Sequence, residues 1–170
     1  MKTKIITLIV LVLVLTSCRK YEEGGFYLFS NMNKKIAGTY HFNHYYIDGV
    51  DSADYYFNND YNAELDLNYN QQRDERVGYL NFVHNTDVRN NFAYHDVWGW
   101  NKKNKKSISI RFSDEIGYTD SSAPDTIINN GPLSPGVENI WDILKLKKGE
   151  LILETDFNNK HYRAELKEIE

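Results

Sequence analysis

The sequence predicts an all-β domain: about eight or nine antiparallel strands closed into an up-and-down barrel, behind a leader that is cleaved. Three observations lead there. From Ile36 onward, aromatic and β-branched residues alternate with polar ones, the two-residue period of a sheet with one dry and one wet face. Clusters of Asn, Asp and Gly recur at short intervals, and connections that short force neighbouring strands to be antiparallel. Helical periodicity is scarce over the same stretch.

The first element is an address rather than a part of the fold. Lys2 and Lys4 precede the apolar run Ile5–Leu15, which only Thr7 interrupts. A charged start followed by a short apolar core reads as an export signal, and the run falls short of the ~20 residues a spanning helix needs. Leu15-Thr16-Ser17-Cys18 then resembles a bacterial lipobox: an aliphatic residue, two small ones, and the cysteine that is acylated and becomes the new N-terminus. Small side chains give a peptidase access to the backbone, and the thiol carries the diacylglycerol. Cleavage after residue 17 leaves 153 of the 170 residues and, with Lys2 and Lys4 gone, takes the net charge from −4 to −6. Several acyl chains anchor far more durably than one, since each buried methylene contributes about 0.8 kcal/mol.

Arg19, and not Asp, follows Cys18, which resembles lipoproteins sent on to the outer membrane. The acidic pair Glu22-Glu23 soon after the anchor is loosely similar to export tags of surface-exposed lipoproteins, and it equally suits an ordinary solvated tether. Both the periplasmic and the outer face stay open. Residues 18–35 are expected to be the tether, with one helical turn around Phe29–Lys34, and residues 36–170 the barrel.

The clearest strand is Asn62–Tyr69, with Ala63, Leu65, Leu67 and Tyr69 on one face and Asn62, Glu64, Asp66 and Asn68 on the other. Ser107–Ser113 repeats this with Ile108, Ile110 and Phe112 inward, and Tyr162, Ala164 and Leu166 repeat it near the end. Further strands are expected at Ile36–Ile47, Ala53–Phe57, Arg76–His84, Phe92–Trp100, Ile140–Leu146 and Leu151–Thr155. Asp48-Gly49, Asn58-Asn59-Asp60 and Lys148-Gly149 supply the turns. A meander of this length must close on itself or split into two sheets to avoid open edges, and closure is preferred. Pro124, Pro132 and Pro135 all lie in one long loop, Thr119–Gly136, that either caps a barrel mouth or merely crosses over, with room for a brief strand at Thr126–Ile128.

Gly38-Thr39-Tyr40, at the start of the first strand, resembles the Gly-x-Trp opening of lipocalins with tyrosine in the tryptophan's place. Arg163 on the last strand resembles the lipocalin arginine that packs across that ring. Trp141-Asp142-Ile143 through Leu146, a short basic turn, Leu151–Glu154 and His161-Tyr162-Arg163 are similar to the C-terminal strands of small lipocalin-like lipoproteins of Gram-negative bacteria. The resemblance implies a barrel whose base Tyr40 and Arg163 close by a cation–π contact. It also implies a cup that holds a small apolar molecule or is filled by its own side chains.

Composition excludes several chemistries. With 20 Lys plus Arg against 24 Asp plus Glu, the chain lacks the cationic surplus that grips nucleic acid. One cysteine forms no intrachain disulfide and no cysteine metal cluster. No Gly-x-Ser-x-Gly elbow and no Gly-rich phosphate loop occurs; neither gap excludes an enzyme, but without a convergent set of acid, base and nucleophile none is expected, nor is a cofactor. His41, His44, His84, His95 and His161 are scattered; the odd spacing of His41 and His44 sends them to opposite faces of a strand unless a bulge intervenes, so no metal site is expected. Asp48, Asp51 and Asp54 read as solvated turn carboxylates, and Lys102–Lys106 as a basic hairpin tip.

The most suggestive constellation is Phe92, Tyr94, Trp98 and Trp100, which share one face of one strand. Flat rings suit a small hydrophobic ligand, and they suit a barrel core equally well. The expected function is therefore an outer-membrane, lipid-anchored binder of a small hydrophobic or amphiphilic ligand. The alternative is a structural or interaction lipoprotein with a filled barrel that docks an envelope protein complex or polysaccharide.

Overall fold

The computed structural model describes residues 32–53, 61–86, 91–101, 106–117 and 131–169. A short helix, α1 (Met32–Ile36), leads into the strands. In chain order these are β1 (Gly38–Ile47), β2 (Val50–Asp51), β3 (Tyr61–Asn70), β4 (Glu75–His84), β5 (Phe92–Trp100), β6 (Ser107–Arg111), β7 (Asp114–Gly117), β8 (Glu138–Lys147), β9 (Glu150–Phe157) and β10 (Lys160–Glu168). Every pairing is antiparallel. The order runs β1-β3-β4-β5-β6-β8-β9-β10, and β10 returns to β1 along most of its length, so the sheet closes into an eight-stranded, lipocalin-like barrel. β2 is an extra strand on the side of β1 away from β10. β7 continues β6 after a break at Phe112-Ser113: the foot of β5 pairs with β6 and its head with β7.

Alternation becomes geometry most directly in β3. Ala63, Leu65 and Leu67 are buried, whereas Asn62 and Asn68 are exposed and Glu64 and Asp66 half-exposed, because a strand in a barrel wall has one face in the core and one in water. Two bulges interrupt the period. Asn43 is an extra residue in β1, so the inward set passes from Tyr40 and Phe42 to Tyr45 and Ile47. Leu144 plays the same part in β8. One inserted residue flips every later side chain to the other face, while increasing the local bend a small barrel needs.

The two ends differ. α1 plugs one of them, with Met32, Asn33 and Ile36 buried against β3 and β8. Met32 and Asn33, which the sequence assigns to the tether, are thus buried with the core; the helical turn expected around Phe29–Lys34 overlaps α1, and its first residues, 29–31, lie outside the described residues. At the other end, Asp48-Gly49 and Asn158-Asn159 all take positive φ, the conformation of the tight turns whose twist matches that of paired strands. Residues 131–134 of the proline-containing loop are buried, Leu133 joins the core, and the Gly136 N–H donates to Phe112 O at 2.6 Å. That segment seals the wall where β6 gives way to β7. The expected strands at Ala53–Phe57 (past Ala53 itself) and Thr126–Ile128 lie outside the described residues.

Candidate functional site

The aromatic face of β5 turns inward. Tyr94 and Trp98 are only 7% and 2% exposed, and Trp100 packs partly buried against the same core. The two indoles meet edge to face with centroids 5.9 Å apart, a preferred aromatic geometry. Their N–H groups are used within the protein: Trp98 Nε1 donates to Asn68 O at 3.0 Å and Trp100 Nε1 to Asn33 Oδ1. Phe92 pairs through its backbone with Phe82 and Gly117. A Cβ at Gly78 on β4 would meet Phe112 at 3.6 Å and Trp98 at 3.8 Å, ordinary contact distances, so the ring set does not require glycine there.

Closure of the base differs from the expectation. Tyr40 is buried and its hydroxyl donates to Ile36 O at 3.1 Å, so the ring is tied to the helical plug. Arg163 does not lie across it. Tyr40 pairs with Glu168 whereas Arg163 pairs with Tyr46, five residues further along β10, or about 17 Å. Arg163 also alternates with the inward Tyr162 and Ala164, and its guanidinium bonds Glu165 at 3.0 Å. The cation–π contact at the closed end comes from Arg76, which lies over Tyr69 at 5.5 Å and over Trp98 at 5.9 Å. Sequence reasoning missed Arg76 because it sits at the strand's first inward position, beside a turn, where a charged residue ordinarily reads as solvated.

The histidines meet the exception that their odd spacing allows, a bulge. The Asn43 bulge brings His41 and His44 to the same outer face, opposite Lys167 and Glu165. They do not converge: His44 Nδ1 bonds Asp51 Oδ2 at 2.6 Å and stacks on Tyr46, while His41 faces Glu64 on β3. His161 sits between Asp156, at 2.9 Å, and Glu154, at 3.5 Å. Its backbone exchanges hydrogen bonds with Asp48, whose N–H donates to His161 O and whose Oδ1 accepts from His161 N. His84 meets the Tyr61 ring edge-on and His95 stacks on Tyr79. Among the described residues no three His, Cys, Asp or Glu side chains are placed to hold a metal ion.

Electrostatics follow these partners. Burial works to raise the Asp51 carboxyl, yet hydrogen bonds from His44 and from the N–H groups of Ala53 and Tyr45 hold it below its ordinary value. Hydrogen bonds from Arg111 and Ser113 lower Asp96, and those from Lys145 and Lys147 lower Glu150. Glu64 and Asp66 are raised by burial. Tyr46 is raised too, by burial and then by the nearby Glu165 and Asp51.

Two clefts on the outside of the barrel are formed by described residues. One of about 720 Å³ is lined by residues 68–72 at the β3–β4 turn, and one of about 530 Å³ by Asp48 and residues 156–161 at the β9–β10 turn. Both are open and lined by polar turn residues, unlike the concave apolar pockets that hold small molecules. Cys18, Asp54 and three of the four lysines of the basic tip lie outside the described residues; Lys106 is exposed at the foot of β6.

No family model matches the sequence, and neither a curated protein nor a solved structure matches it.

Proposed function

We propose that the chain is a lipid-anchored lipoprotein of the bacterial outer membrane, tethered through Cys18, whose barrel is a filled scaffold acting through its outside. Export and anchoring rest on the leader pattern Lys2–Leu15 and on Leu15-Thr16-Ser17-Cys18. The observation that carries the choice of a filled scaffold is the state of the inward side chains. Tyr40, Tyr45, Leu65, Leu80, Phe82, Trp98, Ile110, Phe112, Trp141, Leu151, Leu153 and Leu166 are each at most 2% exposed. A ligand-sized cup would leave its lining residues accessible to a water-sized sphere, whereas close packing leaves them none. The aromatic face of Tyr94, Trp98 and Trp100 then serves as core, with both indole N–H groups already satisfied.

One observation favours a small-molecule site instead. Trp141 Nε1 points from a fully buried ring and has no hydrogen-bond partner among the described residues. Buried polar groups are usually paired, so this N–H is where an internal acceptor would bind.

The anchor is tested by metabolic palmitate labelling of the intact protein beside Cys18→Ala. Label in the first and none in the second is expected. Equal labelling defeats the assignment.

A further inference from the structure

We propose that the helix-plugged end of the barrel is a membrane-docking surface that lies on anionic phospholipid headgroups. This rests on the reading of Cys18 as the anchor. The lipid-facing end is defined by charge, which the strand directions sort to the two ends of the barrel. Exposed Lys34 and Lys35 on α1, Arg73 in the β3–β4 turn, Lys106 at the foot of β6, Lys148 in the β8–β9 turn and Lys167 at the end of β10 come from five separate elements and meet at one end. Acids at this end are largely occupied: Asp74 bonds Arg76 at 2.8 Å, Glu150 holds Lys145 and Lys147 at 2.6 and 2.9 Å, and Glu75 lies 3.9 Å from Arg73. Glu168, at the last rung of β10, Asp66, opposite Thr39, and the exposed Asp142, opposite Ser107, are there as well, so the cations outnumber the acids without being alone.

The opposite end has the reverse sign. Its turns and strand ends carry exposed Asp48, Asp51, Glu138 and Asp156, against Lys160 in the β9–β10 turn and Arg111, which lies opposite Glu138 and bonds Asp96. An acidic chain has thus placed a concentrated basic face where its N-terminal segment joins the barrel.

Distance decides what the charges add to an anchor. Thirteen residues, 19–31, separate Cys18 from α1, and fully extended at ~3.3–3.6 Å each they span nearly 50 Å. A reach of that length does not by itself select which end of the barrel meets the surface. Screening limits charge attraction to about 8 Å at physiological salt, so only the end that approaches the headgroups gains from it. Each lysine near an anionic surface contributes about 1 kcal/mol, so removing three lowers affinity on the order of 100-fold.

The purified full chain is reconstituted into vesicles of phosphatidylcholine with or without phosphatidylglycerol, and a thiol fluorophore is placed at Lys148→Cys or at Asp156→Cys. A headgroup quencher is expected to dim the label at 148 and spare the one at 156, and the difference should vanish in high salt or without phosphatidylglycerol. Combining Lys34→Gln, Lys148→Gln and Lys167→Gln should reduce partition onto anionic vesicles on the order of 100-fold, with Lys160→Gln as the silent control. Equal quenching at both sites, or quenching indifferent to phosphatidylglycerol and salt, overturns the proposal. So does capture of heparin by the basic end without preference for anionic vesicles, which would indicate a soluble polyanion. Palmitate labelling of the same sample separates the two readings: an unlabelled chain removes the anchor, and salt-sensitive partition of that chain onto anionic vesicles, lost in the triple variant, still supports docking, while its absence ends it.

Discussion

The two ends of the barrel are held by different physics. At the closed end, Ile36 and Met32 bury apolar surface beneath Tyr40, Trp98 and Trp100 donate to Asn68 and Asn33, and Arg76 covers two rings. At the rim, Asp48, Asp51, Asp156, His44 and His161 exchange hydrogen bonds in water over tight turns. Burial of a large ring contributes several kcal/mol, whereas an exposed ion pair contributes between nothing and about 1 kcal/mol. Stability therefore resides in the buried rings, at the closed end and in Tyr45, Phe82 and Tyr162 beneath the rim, while the exposed turns of the rim add little.

Trp98→Ala breaks this contrast most severely. Loss of a 2%-exposed indole should destabilise by about 3–5 kcal/mol, read from urea denaturation. Asn33→Ala comes next, because it leaves the Trp100 N–H without its acceptor; about 1–3 kcal/mol is expected. A smaller loss would mean that α1 is not a working plug.

Acid sharpens the comparison by sign. Hydrogen bonds from Arg111 and Ser113 lower Asp96, so its contribution is complete above the unfolded value near ~4 and is lost as pH falls through its own lower value. Asp96→Asn should therefore flatten the loss of stability below about pH 4. Glu64, raised by burial, works oppositely: its charged form opposes folding at neutral pH, and Glu64→Gln should raise the neutral midpoint. Trp141→Phe removes a donor that has no partner but leaves space beside a ring that is 1% exposed, so a modest loss of about 1 kcal/mol is expected, well below that of Trp98→Ala. His44→Asn at the rim should move stability by no more than ~0.5 kcal/mol.

Much of the wall is legible in the sequence because alternation and turn chemistry are local. Asn62–Tyr69, Phe92–Trp100 and the Asp48-Gly49 turn announce themselves within ten residues, and the structure keeps them as β3, β5 and a tight turn. What is not legible depends on the partner strand. Nothing in His41–Ile47 marks Asn43 as the bulge that puts His41 and His44 on one face, since a bulge is defined by two residues facing one across the ladder. The break at Phe112-Ser113 is hidden for the same reason, because Ser107–Ser113 alternates smoothly and only β5 shows where the register shifts. At the candidate site the ring set on β5 was visible, but its donors' acceptors, Asn33 and Asn68, lie 67 and 30 residues away. Tyr40 kept its place at the base while Arg163 did not, because a motif fixes residue type and the register fixes distance.

A filled scaffold and a ligand cup differ in whether the barrel interior belongs wholly to its own side chains. Native mass spectrometry of the protein purified under mild conditions decides this. The expected mass is the chain from Cys18 with its acyl groups and nothing more. A stoichiometric small molecule that stays through purification, leaves only on unfolding and is lost in Trp141→Phe would contradict it.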